Sequence, residues 1–275
     1  MKKLLNKYLP LFFLLLRYVY TKNPLSIIKS KQQKLIGEKN ELKRIDAVRE
    51  IMKRVFNDIY VIHNGPFKDM KYIQNSSGSA FLPKIMGSYE EPIQIWIEEV
   101  IENKKYHNIL DIGAAEGYYA CGFAMRMPNV TIHAFDTDKE ARNNLENLKN
   151  LNKLYHIEIN SECSHEWLNL KSDSNTLIFC DIEGFEKELL DPDKVPNLKF
   201  VDIIVEAHDC FVPNVSEELI KRFYSTHTVT IIVDYPFRIG KYSTPSAASD
   251  QQIDLIFNEC RSKYMNFIYL KSIYE

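Results

Sequence analysis

The sequence lacks closely spaced cysteines. Its five cysteines, Cys121, Cys163, Cys180, Cys210 and Cys260, include no Cys-x-x-Cys pair, so a zinc site built on thiolates has no support. Their number is odd and they are scattered through apolar segments, which is typical of free thiols in a reducing compartment. We therefore predict a cytoplasmic protein with buried free cysteines.

A basic excess is missing as well. The chain has 35 lysines and arginines against 37 aspartates and glutamates, for a formal net charge of -2. Proteins whose main partner is DNA or RNA usually carry a basic excess, so nucleic acid is disfavoured, although the average can conceal a local patch. With 45% hydrophobic and 26% charged residues, the composition is that of a globular protein.

No apolar run is long enough to cross a bilayer. Residues 1–3 are Met-Lys-Lys, and an apolar run from Tyr8 to Leu16 follows, whereas a spanning helix needs about 20 apolar residues. No small-x-small cleavage site follows this run, which weakens the interpretation as a signal peptide. Residues 4–20 could instead form a helix that contacts the inner membrane face peripherally, or one that docks on the domain or on a second subunit.

The length of 275 residues suits one α/β domain of about 200 residues with an N-terminal extension. We predict an N-terminal helix and linker over residues 1–40, with the polar, lysine-rich residues 23–40 as the linker. Residues 41–104 are predicted to form a helical and hairpin subdomain, and residues 105–275 the main domain.

Within residues 41–104, apolar residues recur every third or fourth position from Glu41 to Asn57, which predicts an amphipathic helix. The segments Ile59–Ile62 and Met70–Ile73 flank Asn-Gly-Pro and predict two short strands around a turn. A second helix is predicted over Glu91–Glu102.

Short apolar runs alternate with helical segments in the rest of the chain. This alternation predicts a mostly parallel, doubly wound sheet, whose ligands bind at the carboxyl ends of the strands where the strand order reverses. The seven runs are His107–Ile112, Val130–Phe135, His156–Ile159, Thr176–Cys180, Val201–Val205, Val229–Val233 and Asn266–Leu270.

A glycine loop follows the first of these runs. It reads Asp111-Ile112-Gly113-Ala114-Ala115-Glu116-Gly117 and differs from the dinucleotide-binding pattern Gly-x-Gly-x-x-Gly. Glycine permits a sharp turn and a close backbone approach to a ligand. The carboxylates of Asp111 and Glu116 would repel a pyrophosphate. The loop suits a ligand with an ammonium and a sulfonium, such as S-adenosylmethionine (SAM), although a purely structural turn remains an alternative.

An acidic residue also follows the second run. Asp136 lies 19 residues past Gly117, about where a carboxylate holds ribose hydroxyls in folds of this kind. Asp138 is predicted to be the N-cap of the next helix. A glycine loop together with a spaced acid is a more specific signal than either alone.

The sequence resembles the FkbM-type branch of class I SAM-dependent methyltransferases. The resemblance covers roughly residues 107–235 and rests on Ile109–Gly117, on Ala134-Phe135-Asp136, and above all on Asp181-Ile182-Glu183-Gly184-Phe185-Glu186. It implies a Rossmann-like, seven-stranded sheet with helices on both faces. It also implies methyl transfer from SAM to a hydroxyl of a sugar, glycan or related small acceptor. This chain has Asp136-Thr137 where the family often has Glu-Pro.

The expected SAM site combines Asp111, Gly113, Ala114, Glu116, Gly117, Asp136 and Asp181. Methylation of an alcohol needs a base or a metal, because an alcohol is a poor nucleophile at neutral pH. We predict that His208 takes the acceptor proton, that Glu206 orients His208 or the acceptor, and that Asp181 holds the SAM amino group or the acceptor. Alternatively, His208 only bonds a loop carbonyl. Asp181, Glu183, Glu206 and His208 could also hold Mg²⁺ or Mn²⁺.

Two competing functions are considered. A nucleic-acid methyltransferase is disfavoured because no Pro-Cys dipeptide occurs and no Asn/Asp-Pro-Pro-aromatic box follows the fourth run, where Asp181-Ile182-Glu183-Gly184 stands. A non-catalytic protein with the same fold could act as a scaffold in a glycan-assembly complex, but the intact glycine loop and Asp136 argue against it.

Overall fold

The computed structural model describes residues 24–234, 241–261 and 263–274. The chain divides into two units, Met1–Asn57 and Asp58–Glu275. This division falls after residue 57, whereas the boundaries predicted from the sequence lie at residues 40 and 104. Residues 58–104 belong to the same unit as the sheet because they hydrogen-bond to the glycine loop and pack on its helix.

One helix, α1, accounts for the described part of the first unit and spans Pro24–Val55. The predicted linker over residues 23–40 is wrong from Pro24 onward. The segment is rich in lysine and glutamine, which are good helix formers, and proline is favoured in the first turn of a helix. Residues 4–20 lie outside the described residues. Across the described residues, no helix is both long enough and apolar enough to cross a membrane.

The second unit begins with irregular chain and short helices. The two strands predicted around Asn-Gly-Pro reduce to one isolated antiparallel bridge between Val61 and Lys71. Helix α2 spans Phe81–Met86, and a 3₁₀ turn over Glu91–Ile93 leads into α3, Gln94–Asn103. The predicted helix over Glu91–Glu102 is thus confirmed apart from its first turn.

Seven strands alternate with helices through the remainder of the unit. In chain order the elements are β1 Asn108–Ile112, α4 Tyr118–Arg126, β2 Thr131–Phe135, α5 Lys139–Asn152, β3 Ile157–Asn160, α6 His165–Lys171, β4 Thr176–Cys180, α7 Glu186–Leu189, β5 Asp202–Ala207, α8 Val215–Phe223, β6 His227–Asp234, α9 Asp250–Phe257 and β7 Met265–Ser272. A 3₁₀ turn, Pro196–Phe200, precedes β5. Helix α6, which the apolar pattern did not predict, starts at the N-cap Ser164.

The strands form one sheet in the order β3-β2-β1-β4-β5-β7-β6. The first five strands in this order are parallel, while β7 is antiparallel to both β5 and β6. The central strands β4 and β5 are buried along their whole length, as expected of a sheet covered on both faces. The predicted Rossmann-like, doubly wound seven-stranded sheet is confirmed.

The position of the site follows from this strand order. The chain runs outward from β1 to β3 and then returns to β4 on the other side of β1, so the order reverses between β1 and β4. In a doubly wound fold the helices that follow two such strands lie on opposite faces of the sheet, which leaves a crevice at the carboxyl ends of the strands. The glycine loop after β1 and the Asp181 segment after β4 form its two sides.

Candidate functional site

A cavity of about 1420 Å³ lies at this crevice. One end, here called the loop end, is formed by residues 111–115 and 135–138. The other end, here called the carboxylate end, is formed by Asp181, Glu206, His208 and Arg261. The structure thus brings together most of the residues predicted from the sequence, although they come from four different strand ends.

Gly113 is required by close contact between the two central loops. Its φ is +88°, and a Cβ at this position would lie 1.7 Å from the carbonyl oxygen of Asp181. The sequence predicted close approach to a ligand, but the structure shows that the neighbour is this carbonyl. Glycine therefore lets the β1 and β4 loops come into direct contact beside the cavity.

The glycine loop offers few free amides to a phosphate. The N–H groups of Gly113 and Ala114 both donate to the carbonyl of Phe135, each at 2.9 Å. The N–H of Gly117 donates to the Ala114 carbonyl at 2.8 Å, and that of Ala115 donates to Asp136. Because these donors are already paired, the loop does not form the anion cradle of a dinucleotide-binding turn.

Asp111 is a buried carboxyl group on the cavity wall. Its side chain is 2% exposed, and Oδ2 is buried without a hydrogen-bond partner. Burial raises the pKa of Asp111 to about 8, against a lowering hydrogen bond from the backbone of Ala120. An unpaired buried carboxyl oxygen is costly unless a ligand supplies a donor or a positive charge.

Asp136 is half-buried at the end of β2, as predicted, and it is partly engaged. Its Oδ2 accepts a 2.8 Å hydrogen bond from the N–H of Ala115, and its Oδ1 accepts one of 2.8 Å from Asp138. An ionised carboxylate can accept about four hydrogen bonds, so both oxygens retain capacity for ribose hydroxyls. Asp138 is confirmed as the N-cap of α5, since its Oδ1 accepts from the N–H of Glu140 at 2.9 Å.

Glu116 does not line the cavity, and its predicted role in cofactor binding is not supported. It is fully buried, and its carboxylate accepts hydrogen bonds from Tyr72 at 2.6 Å, from the Ser76 hydroxyl at 2.9 Å and from the ammonium of Lys84. The N–H of Ser77 also donates to it at 2.9 Å. Burial raises the pKa of Glu116, but Lys84 outweighs this effect and the net pKa is lowered.

Glu116 therefore anchors the segment before α2, whose residues 75–80 form part of the cavity wall. The sequence places Glu116 beside a ligand loop, but it cannot show which way the side chain turns. Gly117 is also off the cavity wall. It begins α4 with a φ of +93°, and a Cβ there would lie 2.7 Å from Leu145 on α5.

His208 is buried at the end of β5 and is held by a residue that we had not assigned to the site. Its Nδ1 lies 2.7 Å from Oε1 of Glu186, which is fully buried. Its Nε2 lies 3.5 Å from Oδ1 of Asp181. Burial lowers the pKa of His208, but the Glu186 hydrogen bond and the charge of Asp181 outweigh it and the pKa is raised.

Glu186 belongs to the Asp181–Glu186 segment on which the resemblance rests, and no role in the site was predicted for it. One of its oxygens accepts the N–H of Gly184 at 3.0 Å near the start of α7, and the same oxygen orients the His208 ring. The prediction that Glu206 orients His208 is not supported by the contacts. The alternative, in which His208 bonds a loop carbonyl, also differs from the observed pairing with a carboxylate.

Glu206 is paired with Arg261 in a buried cluster. The Arg261 guanidinium bonds Glu206 and also lies 2.7 Å from Glu90, 3.1 Å from Asp234 and 3.1 Å from Glu259. Burial and the nearby Asp181 raise the pKa of Glu206 well above its usual value, while Arg261 opposes this shift. Four carboxylates around one arginine leave the carboxylate end rich in negative charge.

Asp181 connects the two ends of the cavity. It follows β4 directly, its backbone carbonyl touches Gly113, and its carboxylate faces His208. Burial raises its pKa to about 7, with His208 opposing the shift. Ligand atoms of Asp181, Glu206 and His208 all lie within 4.8 Å of one another. Glu183, the fourth predicted metal ligand, is mostly exposed and stands 3.7 Å from His208.

Several residues of the wall were not predicted. Arg261 could not be selected from the sequence, because Glu90, Glu206 and Asp234 lie far from it along the chain and only the fold brings them together. Phe185 and Phe211 line the cavity and remain 71% and 61% exposed. Tyr89 also lines the cavity.

The fold and the site together define an α/β protein with a ligand cavity at the switch point of a doubly wound sheet. No protein-family model matches the chain, and no curated protein matches its sequence. Solved structures do match.

A SAM-dependent O-methyltransferase from Thermotoga maritima is 13% identical, with a TM-score of 0.43, over 66% of this chain and 65% of the other. A precorrin-6y C5,15-methyltransferase from Geobacter metallireducens is 12% identical, with a TM-score of 0.46, over 68% of this chain and 91% of the other. A precorrin 8w decarboxylase of Methanobacterium thermoautotrophicum is 16% identical, with a TM-score of 0.46, over 72% of this chain and 96% of the other.

Proposed function

We propose that this protein is a SAM-dependent methyltransferase of the FkbM type that methylates a hydroxyl of a sugar, glycan or related small acceptor. The observation that carries the proposal is the buried oxygen of Asp111, which lines the cavity without a hydrogen-bond partner. A ligand with positive charge would stabilise that carboxylate, whereas a phosphate would be repelled by it.

The residues present fit SAM. Asp136 retains lone pairs for ribose hydroxyls at the loop end. Asp111 and Asp181, whose pKa values are raised by burial, supply negative charge toward the centre of the cavity once a bound cation favours their ionised forms. Gly113 and Ala114 let the backbone form a close wall on one side. Glu116 and Gly117 support this wall from behind without contact with the ligand. When bound, SAM supplies an activated methyl group with a good leaving group.

The remaining task of the protein is to position the acceptor and remove its proton. We infer that Nε2 of His208 is the base, because Nδ1 is occupied by Glu186 and this contact fixes the ring and its tautomer. Asp181, 3.5 Å from Nε2, stabilises the ring once it carries the proton. Glu206 is held by Arg261 and is not hydrogen-bonded to His208, so we infer that it positions the acceptor.

The wall around His208 suits a small, uncharged acceptor. The Phe211 ring stacks on His208 at a centroid distance of 5.5 Å and an interplanar angle of 13°. Phe211 and Phe185 remain exposed, so their rings can pack against the apolar face of a sugar. The carboxylates around Arg261 disfavour a phosphodiester, which argues against the alternative of a nucleic-acid methyltransferase.

Calorimetric titration with SAM tests the first part of the proposal. We expect binding accompanied by proton release, because a cationic ligand lowers the raised pKa of Asp111. The release is measured as a dependence of the observed heat on the ionisation enthalpy of the buffer. An Asp111→Asn variant should bind more weakly and show a smaller dependence, because only the raised pKa of Asp181 would then remain. Absence of SAM binding to the wild-type chain would favour the scaffold alternative.

Transfer of a labelled methyl group to cell-surface glycans and small glycoconjugates tests the second part. We expect His208→Ala to lower kcat by about 10²–10⁴-fold, while SAM affinity stays close to that of the wild type. A variant that retains wild-type turnover would reject His208 as the base. Labelling of total RNA in place of glycan would support the nucleic-acid alternative.

A metal-dependent variant of this chemistry is a second candidate. It is favoured by the cluster of Asp181, Glu206 and His208 and by the Glu186 contact, since metal-bound histidines commonly pair their other nitrogen with a carboxylate. Mg²⁺ or Mn²⁺ would then activate the acceptor in place of a free histidine base. Exhaustive chelation should abolish activity in this case and leave it unchanged if His208 is the base.

A further inference from the structure

The charge of the chain is divided unevenly between its two units. Residues 1–57 contain 14 lysines and arginines and 4 aspartates and glutamates, which gives a formal charge of +10. Because the whole chain has a net charge of -2, residues 58–275 carry -12. The near-neutral total therefore conceals a strongly basic N-terminal unit, whose described part is the single helix α1.

Helix α1 presents leucines and basic residues on one exposed face. Positions separated by three, four or seven residues lie on the same side of a helix. This spacing relates five exposed residues, here called the leucine–basic face: Leu35, Lys39, Leu42, Arg49 and Lys53. Leu35 and Leu42 are each 63% exposed. The face also includes one acid, Asp46, which lies 3.5 Å from Arg49.

We propose that the N-terminal unit docks on an anionic lipid surface through this face. Exposed leucines can enter the boundary between headgroups and acyl chains, and the basic side chains beside them can contact anionic headgroups. The apolar run from Tyr8 to Leu16, in the same unit, provides a second hydrophobic element in the sequence. Stable attachment to a membrane generally needs two such signals.

The exposed leucines distinguish this partner from a nucleic acid. Binding to a phosphate backbone uses positive charge, but it gives no role to a row of exposed aliphatic side chains. A bilayer surface uses both kinds of residue. The proposal does not depend on methyl transfer, so it can fail while the proposed enzymatic function stands, and the reverse also holds.

Co-sedimentation of the full-length protein with vesicles tests the proposal. Vesicles of phosphatidylcholine alone are compared with vesicles that also contain phosphatidylglycerol. We expect binding to the mixed vesicles, weak binding to the neutral ones, and a loss of binding at high salt, since salt screens the attraction. Equal binding to both compositions, or binding to neither, would overturn the proposal.

Charge-reversal variants locate the surface. Replacing Lys39, Arg49 and Lys53 with glutamate should weaken binding to the mixed vesicles by at least about 100-fold, since each basic residue near an anionic surface contributes about fivefold. The matched control replaces three exposed lysines of the second unit, Lys68, Lys139 and Lys221, with glutamate. It makes the same change in net charge and should leave binding nearly unchanged. Circular dichroism confirms that both variants remain folded.

A variant of the two leucines distinguishes a membrane from a nucleic acid as the partner of this face. Leu35→Ser with Leu42→Ser should weaken binding to the mixed vesicles and leave any binding to RNA or DNA unaffected. The proposal is wrong if the leucine variant binds vesicles like the wild type, or if the protein binds nucleic acid and not vesicles. It is also wrong if the face is covered by a second copy, seen as a dimer that the charge-reversal variant dissociates.

Discussion

Lys84 and Glu116 form a buried ion pair whose loss should lower the stability of the second unit. The two side chains are 3% and 0% exposed, and they join α2 to the glycine loop. Lys84→Met keeps the length and apolar stem of the side chain but removes its charge. The carboxylate of Glu116 then remains buried without its ion partner, although Tyr72 and Ser76 still donate to it.

Removing one partner of a buried ion pair costs about 3–5 kcal/mol, because the other charge is left without compensation. In a unit of this size, such a loss lowers the midpoint of thermal unfolding by roughly 6–20 °C. Adding Glu116→Gln should recover part of the loss, since a neutral amide needs no counter-charge. The double variant should therefore be more stable than Lys84→Met alone. Urea unfolding followed by circular dichroism measures both differences.

The stabilisation that Glu116 provides depends on pH. Its pKa in the folded protein is depressed below the ordinary value of 4.5. Its contribution to the free energy of unfolding is therefore present above pH 4.5 and is lost as the pH falls through the folded pKa. The difference between wild type and Lys84→Met should shrink over the same range. The control is Lys271→Met, which breaks a half-exposed pair with Glu99 and should cost less than about 1 kcal/mol. A loss no larger in Lys84→Met than in this control would refute the reasoning.

Three further predictions follow from the site. Gly113→Ala should lower the free energy of unfolding by about 3 kcal/mol or more, because the new Cβ would lie 1.7 Å from the carbonyl oxygen of Asp181. Gly78 also has a positive φ but has open space around it, so Gly78→Ala should cost about 1 kcal/mol. Equal losses for the two variants in urea unfolding would contradict this reasoning. Glu186→Gln removes a carboxylate that raises the pKa of His208, while burial continues to lower that pKa. The acid limb of the pH profile of kcat/KM should therefore move to lower pH. An unmoved limb would show that Glu186 does not act on the catalytic base. Asp136→Ala should weaken SAM binding by about 10–100-fold in calorimetry, and unchanged affinity would remove it from the site.

The alternation of apolar runs and helices predicted the sheet well, because buried parallel strands need continuous apolar sequence and the crossovers need helices. All seven runs correspond to strands, with ends shifted by a few residues at most. The linker over residues 23–40 was predicted wrongly because a lysine-rich segment reads as polar chain, although lysine and glutamine have high helix propensity. Helix α6 was missed because it is only seven residues long.

The site was predicted in outline for a related reason. Ligand residues of a doubly wound sheet follow the strands directly, so Asp111, Asp136, Asp181 and His208 could be selected from their positions in the sequence. Their partners could not be selected in this way. Which carboxylate orients His208 depends on where the fold places Glu186 relative to the end of β5, and no spacing in the sequence reports that distance.

The sequence alone determined the strand pattern, the glycine loop and the acidic residues at the strand ends, because these depend on local periodicity and on chain order. Only the tertiary structure decided that Glu116 turns away from the cavity toward Lys84, that Glu186 holds His208, and that Arg261 gathers carboxylates from distant segments. These contacts depend on the orientation of side chains between packed elements. Such orientation is fixed by the burial of charge and volume in three dimensions, which a linear pattern does not record.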